Sequence, residues 1–158
     1  MTDVIAQETR ADWWDVEELY NSCFAPGREA LSSYRLREDV EPVAALCFLV
    51  RADGAVAAAV RNWPVRIGAV RALLLGPIAV HPTRQGEGLG AALMGRVERA
   101  APELGWERIL LVGDEPYYKR FGFRRLAGIE MPPPTNPERV LGWGAWDGVS
   151  GVVTRDAD

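Results

Sequence analysis

The residues with most chemical content lie in the segment Gly76-Pro-Ile-Ala-Val-His-Pro-Thr-Arg-Gln-Gly-Glu-Gly-Leu-Gly-Ala91. An apolar run ends there at His81-Pro82, and Gly86, Gly88 and Gly90 precede a stretch with helical apolar spacing. Glycines ahead of a helix let backbone N–H groups turn inward on an anion, and the helix N-terminus adds partial positive charge. Phosphate binding is the chemistry this arrangement suits, with Arg84 beside it; a plain flexible turn is the alternative. A Walker-type loop needs Lys and Ser or Thr after its last glycine, whereas Ala91-Ala92 follow Gly90, which disfavours nucleotide triphosphate hydrolysis. Gly86-x-Gly88-x-x-Ala91 also matches a dinucleotide fingerprint, with Asp114 ending the next apolar run. Against that reading, residues 81–85 separate the strand from the first glycine, and too little chain follows to complete a doubly wound sheet.

Tyr117-Tyr118 form a second cluster. A tyrosine, with an ordinary pKa of about 10, stays protonated at neutral pH and can donate to a leaving group; composition alone favours both rings as core aromatics on a short helix. His81 is the only histidine and sits where a turn is expected, and Cys23 and Cys47 form no CxxC pair. Neither a zinc site nor a Ser-His-Asp or Cys-His apparatus can be assembled with ligands to spare, so no metal is expected. No general base stands out, because helix capping explains Asp114 and Glu115 without chemistry.

Positioning these groups falls to a series of strands followed by a strand–helix–strand unit. Thr9 to Asp12 resembles a capping box and opens a helix over residues 10–23, with Trp14, Leu19 and Cys23 as its apolar set. Residues 24–41 suit a second short helix or an ordered loop. Val43 to Val50 and Ala55 to Val60 flank Asp53-Gly54, a hairpin signature; Trp63 to Ile67 continues the second strand, Gly68 breaks it, and Val70 to Val80 makes a third. Leu89, Leu93, Met94, Val97 and Ala101 mark a helix, and Arg108 to Val112 a buried strand. Strands 70–80 and 108–112 are then expected to run parallel across a right-handed crossover. A short helix over Tyr117 to Arg120 ends at Gly122, Phe123 begins another strand, and the proline-rich segment 132–137 leads to apolar stretches at 140–143 and 149–153.

The 158 residues, 48% hydrophobic and 25% charged, fit one domain over 1–158 that needs no disulfide or metal staple. The net charge is -4, and of the 18 basic residues all but Lys119 are arginine. That balance argues against a general nucleic-acid or membrane-surface binder. The longest apolar run, 43–50, is too short to span a bilayer, and the N-terminus lacks a signal-peptide pattern, so a cytoplasmic location is the default.

Gln85-Gly-Glu-Gly-Leu-Gly90 resembles the Gln/Arg-x-x-Gly-x-Gly/Ala signature of the GNAT superfamily of acetyl-CoA-dependent N-acetyltransferases, and Tyr118-Lys-Arg-Phe-Gly-Phe123 resembles its second mark, an aromatic helix ending in Gly-Phe. The resemblance, to small bacterial predicted acetyltransferases in particular, is strongest over residues 73–123. It implies an α/β chain of the α+β type: a mixed, mostly antiparallel central sheet with one parallel, splayed pair and flanking helices. It places acetyl-CoA between the splayed strands, its pantetheine arm on main chain of Ile78, Ala79 and Val80. The pyrophosphate then falls on backbone amides of Gln85, Gly86, Glu87, Gly88, Leu89 and Gly90, with Arg84 or Gln85 helping at the rim and the Glu87 side chain in solvent. By motif position Tyr118 is the acid for the departing thiolate. The implied reaction is direct attack by a primary amine, on a small molecule or peptide, in a ternary complex; a homodimer is a family expectation. A non-catalytic acyl-CoA sensor or interaction protein of the same fold stands beside this reading, and a dinucleotide-dependent oxidoreductase rests on Gly86 to Ala91 alone. Acceptor recognition falls to residues 24–41 and 131–146. There Trp143 and Trp146 either line a binding face or pack the last strands, and Arg28, Arg35 and Arg37 either attract an acidic acceptor or form a solvated face.

Overall fold

The longest apolar runs become the central strands of the sheet. The computed structural model describes residues 4–24 and 32–156, and its first strands are β1 (Ile5–Gln7), β2 (Phe48–Ala52), β3 (Ala55–Ile67) and β4 (Val70–Val80). β1 to β4 pair antiparallel in chain order. Asp53 and Gly54, at φ 53° and 81°, close the β2–β3 hairpin in the left-handed conformation that a two-residue turn requires. The chain then changes to helix and parallel strand. Helix α3 (Leu89–Glu103) crosses to β5 (Arg108–Val112), which lies parallel to β4. β6 (Arg124–Arg125), β7 (Ile129–Glu130), β8 (Val140–Gly144) and β9 (Gly151–Arg155) complete nine strands among the described residues, in the order β1-β2-β3-β4-β5-β8-β6. β9 joins the C-terminal half of β3 and runs parallel to β7. The sheet is thus mixed and mostly antiparallel.

Alternation along the strands divides the core between two faces. Leu73 and Leu75 pack with Leu93, Met94, Val97 and Ala101 of α3, whereas Ala72 and Leu74 join Trp63, Val65 and Trp146 opposite. Helix α1 (Trp13–Cys23), led by a 3-10 turn at Arg10–Asp12, supplies Val16, Leu19 and Tyr20 to a third cluster with Ala59 and Ala79. The apolar set read from the sequence therefore needs correction: Trp14 is 78% exposed and Cys23 only partly buried. Its place is taken by Val16 and Tyr20, because Tyr20 reaches the Pro77 carbonyl with its hydroxyl at 2.9 Å. The first hairpin strand also begins later than expected, since Ala44–Leu46 forms a 3-10 turn before β2. Residues 32–35 form the short helix α2 (Ser32–Arg35), and α4 (Glu115–Tyr118) continues through a 3-10 turn to Gly122. Asp114 stands at the N-cap of α4, but its side chain makes no capping hydrogen bond. Among the described residues no helix is long and apolar enough to cross a membrane.

Candidate active site

β4 and β5 pair only through Leu73–Leu74 and Ile109–Leu110 before they part. The cause lies in β4. Opposite the single residue Arg61 of β3 stand two residues, Gly76 and Pro77, so β4 carries a bulge there. A bulge bends its strand, and proline offers no N–H to a ladder. Gly76 adopts φ 139°, and its carbonyl accepts the Trp63 indole N–H at 2.7 Å. Beyond the bulge, β4 keeps its pairing with β3. The His81 N–H donates to the Ala57 carbonyl at 2.8 Å, and Ala59 faces Ala79 in the same register. Period-two alternation then turns the main-chain groups of Ile78 and Val80 away from β3, toward the split, and those of Ala79 toward β3.

Two concavities meet at this split. The first is a groove lined by Ile78, Ala79, Val80, Gln85, Gly86, Gly88, Leu89, Gly90, Ala91, Tyr117, Tyr118 and Arg120. Its floor is the loop into α3, where Gly86 and Gly88 take φ 85° and 82°, the left-handed geometry that lets successive amides turn to one side ahead of a helix. Gly90 leaves room for the Tyr117 hydroxyl, which would lie 3.3 Å from an added Cβ. The second is a cleft of about 160 Å³ between the parted strands, bounded by Leu74 to Ile78, Leu111, Val112 and Tyr118, and covered by Phe24, Ser33, Tyr34 and Arg37. Ile78 and Tyr118 line both.

Tyr118 is placed by local sequence. Its N–H donates to the Asp114 carbonyl at 3.1 Å, and its ring sits edge-on to Tyr117 at 4.9 Å. Burial, with Tyr117 adding to it, pushes the Tyr118 hydroxyl up to about 12. Burial acts the opposite way on Arg37, pulling its guanidinium down to about 10, which leaves it cationic at neutral pH.

The structure brings together at the groove Ile78, Ala79, Val80, Gln85, Gly86, Gly88, Leu89 and Gly90. Arg84 and Glu87 are not among the groove's lining residues. They pair with each other, Arg84 Nε lying 2.8 Å from Glu87 Oε2, which holds the Glu87 carboxyl below its ordinary range. The cation that does line the groove is Arg120, over the Tyr117 ring at 5.0 Å. Sequence reasoning missed it, although its spacing of three from Tyr117 is the signal that finds it. His81 is a turn residue: its Nδ1 accepts the Thr83 N–H at 3.2 Å. Asp114 and Glu115 face a separate depression with Arg125 and Arg139. Trp146 is buried, donating to the Trp143 carbonyl at 3.1 Å, while Trp143 packs over Gly122; both are packing residues. Burial pushes both thiols up, Cys47 to about 11, which disfavours the thiolate form at neutral pH. Arg35 is exposed, Arg37 lines the cleft, and Arg28 lies outside the described residues.

Comparison with known proteins matches this arrangement. Residues 13–123 match the Acetyltransferase (GNAT) family. The chain is similar to the uncharacterized N-acetyltransferase YjhQ of Escherichia coli (strain K12), 26% identical over 132 residues that cover 81% of this chain and 73% of YjhQ. Its fold is similar to that of the GNAT family N-acetyltransferase YhbS from Escherichia coli in complex with CoA, with a TM-score of 0.83 and 25% identity over 97% of this chain and 89% of that one. A GNAT family acetyltransferase from Brucella melitensis in complex with acetyl-CoA gives a TM-score of 0.74 and 25% identity over 99% of this chain and 97% of that one. The family match runs from α1 through the split strands and the glycine loop to the Tyr118 helix, and the chain is a member of the acetyltransferase (GNAT) family.

Proposed function

We propose that this protein transfers the acetyl group of acetyl-CoA to a primary amine by direct attack in a ternary complex. The observation that carries this reading is the junction at Ile78 and Tyr118, where a groove suited to a phosphate-bearing cofactor opens into a cleft able to take an acceptor. The residues present fit the cofactor. Backbone amides from Gln85 to Gly90 and the α3 N-terminus suit its pyrophosphate, and Arg120 adds a full charge at the groove wall. Main-chain groups of Ile78 and Val80, turned to the split, suit the amides of the pantetheine arm.

Bound acetyl-CoA supplies a carbonyl already activated as a thioester; the chain's residues position it and move one proton. The acceptor nitrogen forms a bond to the acyl carbon, the carbon–sulfur bond breaks, and the Tyr118 hydroxyl gives its proton to the departing sulfur. Its raised pKa keeps that proton in place at neutral pH, and the hydroxyl is recharged from solvent as the amine's proton leaves through water. Among the described residues that line the cleft there is no carboxylate or imidazole, and water is assigned the base role.

Calorimetry with acetyl-CoA, CoA and NAD(H), followed by thiol release against a panel of amines, amino acids and peptides, tests the proposal. It expects binding of both CoA species and amine-dependent release. NAD(H) binding without CoA binding overturns it. Acetyl-CoA binding with no release above solvent background for any amine assigns the chain instead as an acyl-CoA-binding protein.

A further inference from the structure

Several arginines of this protein pair with carboxylates. Arg51 holds Asp12 and Asp15, Arg61 holds Glu8 and Glu17, Arg66 and Arg71 share Asp156, Arg84 holds Glu87, and Arg125 reaches Glu138. Arg37 differs. Its guanidinium lies 4.0 Å from the centroid of the Tyr34 ring and 5.5 Å from that of Trp63. Its Nε and Nη1 are buried without a well-formed hydrogen bond among the described residues, and its charge is supported from nearby by the hydroxyls of Tyr34 and Tyr20. Aromatic faces offset part of the cost of burying a cation, but they accept no N–H in the plane of the guanidinium.

The unmatched group belongs to the wall of the acceptor cleft. An added Cβ on Gly76, itself a cleft residue, would lie 3.3 Å from Arg37 Nη2, so the bulge in β4 and the guanidinium edge adjoin. Among the described residues no Asp or Glu lines the cleft. On its outer side Arg37 borders a surface depression that includes Glu41, but the two make no ion pair. The nearby charge of Arg61 further disfavours a second buried cation. The field in the cleft therefore favours an anion, and a guanidinium edge matches a carboxylate in shape as well as charge.

We infer that the acceptor is a small amino acid, or a close analogue with amine and carboxylate on neighbouring atoms, whose carboxylate is held by Arg37. This rests on the acetyl-transfer reading above. Size supports it: at about 160 Å³ the cleft is smaller than the roughly 300–1,000 Å³ of drug-sized sites. One compact molecule then has to present its nitrogen toward Tyr118 and its anion toward Arg37. A diamine would bring a second ammonium to a wall that already holds a cation.

Binding of product analogues tests this apart from catalysis. Wild-type protein saturated with CoA is titrated calorimetrically with the N-acetyl derivatives of glycine, alanine, serine, threonine, aspartate and glutamate, and with the C-terminal amide of each. At least one acid should bind about tenfold or more tightly than its amide. Arg37→Gln should remove that difference while CoA affinity persists, and Arg37→Lys should restore part of it. Equal binding of acid and amide, no acid bound by the CoA complex, or a preference that survives Arg37→Gln each overturns the inference. Because the acid-to-amide comparison uses the wild-type chain, it holds even where a variant fails to fold. CoA binding with no acid bound overturns only the amino acid, whereas failure to bind CoA overturns the acetyl-transfer reading beneath it.

Discussion

At position 113 an added Cβ would lie 2.4 Å from Cε2 of Tyr118, so the tyrosine ring can rest on the end of β5 only because that residue is glycine. Gly113→Ala is expected to displace the ring, lowering kcat and costing about 1–3 kcal/mol of stability in urea unfolding, the usual range for overpacking. Tyr118→Phe keeps the ring and removes the proton. It should lower kcat by about 100-fold or more, while the acetyl-CoA dissociation constant from calorimetry stays within about twofold. Sign and size of the Tyr118 shift also predict a pH profile. The hydroxyl donates only while protonated, and burial raises its pKa to about 12. Thus kcat/KM should climb as the acceptor amine deprotonates, with no fall due to Tyr118 below about pH 11. A falling limb near pH 10 that disappears in Tyr118→Phe would show an ordinary tyrosine instead.

The loop before α3 and the bulge in β4 do separate work. Gly88 caps α3 at φ 82° with nothing within 4 Å of an added Cβ. Gly88→Ala therefore tests backbone conformation without a clash. The left-handed geometry costs an alanine about 1–2 kcal/mol, and relief by rotating the loop amides should weaken acetyl-CoA binding by about tenfold, read by calorimetry. In β4 the bulge turns two carbonyls to distant partners, Gly76 to the Trp63 indole and Pro77 to the Tyr20 hydroxyl. It thereby opens the split from β5 and fixes the cleft wall against α1. Of these elements the sequence made the loop legible, because glycines, apolar spacing and the preceding strand are all local. The bulge was not legible: Gly-Pro inside an apolar run reads as strand, and only the register with β3 reveals the extra residue.

Across the whole molecule, Arg61 ties α1 to the sheet behind the cleft. It is 2% exposed, donates to both Glu8 carboxylate oxygens at 3.0 and 2.9 Å, pairs with Glu17, and lies 3.6 Å from the centroid of Trp13. Burial alone would disfavour its charge, but these carboxylates outweigh that and raise its pKa. Arg61→Met leaves Glu8 buried without its partner and should cost about 3–5 kcal/mol in chemical denaturation. Adding Glu8→Gln should recover a measurable part, since a neutral amide is cheaper to bury than an unpaired carboxylate. Because α1 also holds Pro77 through Tyr20, the single variant should raise the acceptor KM more than the acetyl-CoA KM. Equal effects on both would show that the clamp stabilises the fold without shaping the cleft.

Strand and helix periods, the Asp-Gly turn, the crossover and both family motifs are determined by neighbours a few residues apart, so the sequence by itself carried the order of elements, the parallel pair and the glycine loop. What only the tertiary structure decided depends on residues far apart in the chain. Trp14 lies outside and Tyr20 inside because Pro77 offers a carbonyl. Arg84 is occupied by Glu87, so the cation lining the groove is Arg120. Of the two described candidate arginines near the start, Arg35 is exposed and Arg37 is placed at the cleft, between two aromatic faces and beside the bulge. Periodicity says which residues share a face; which charge finds no opposite partner is set by packing across the sheet, and a linear pattern does not record it.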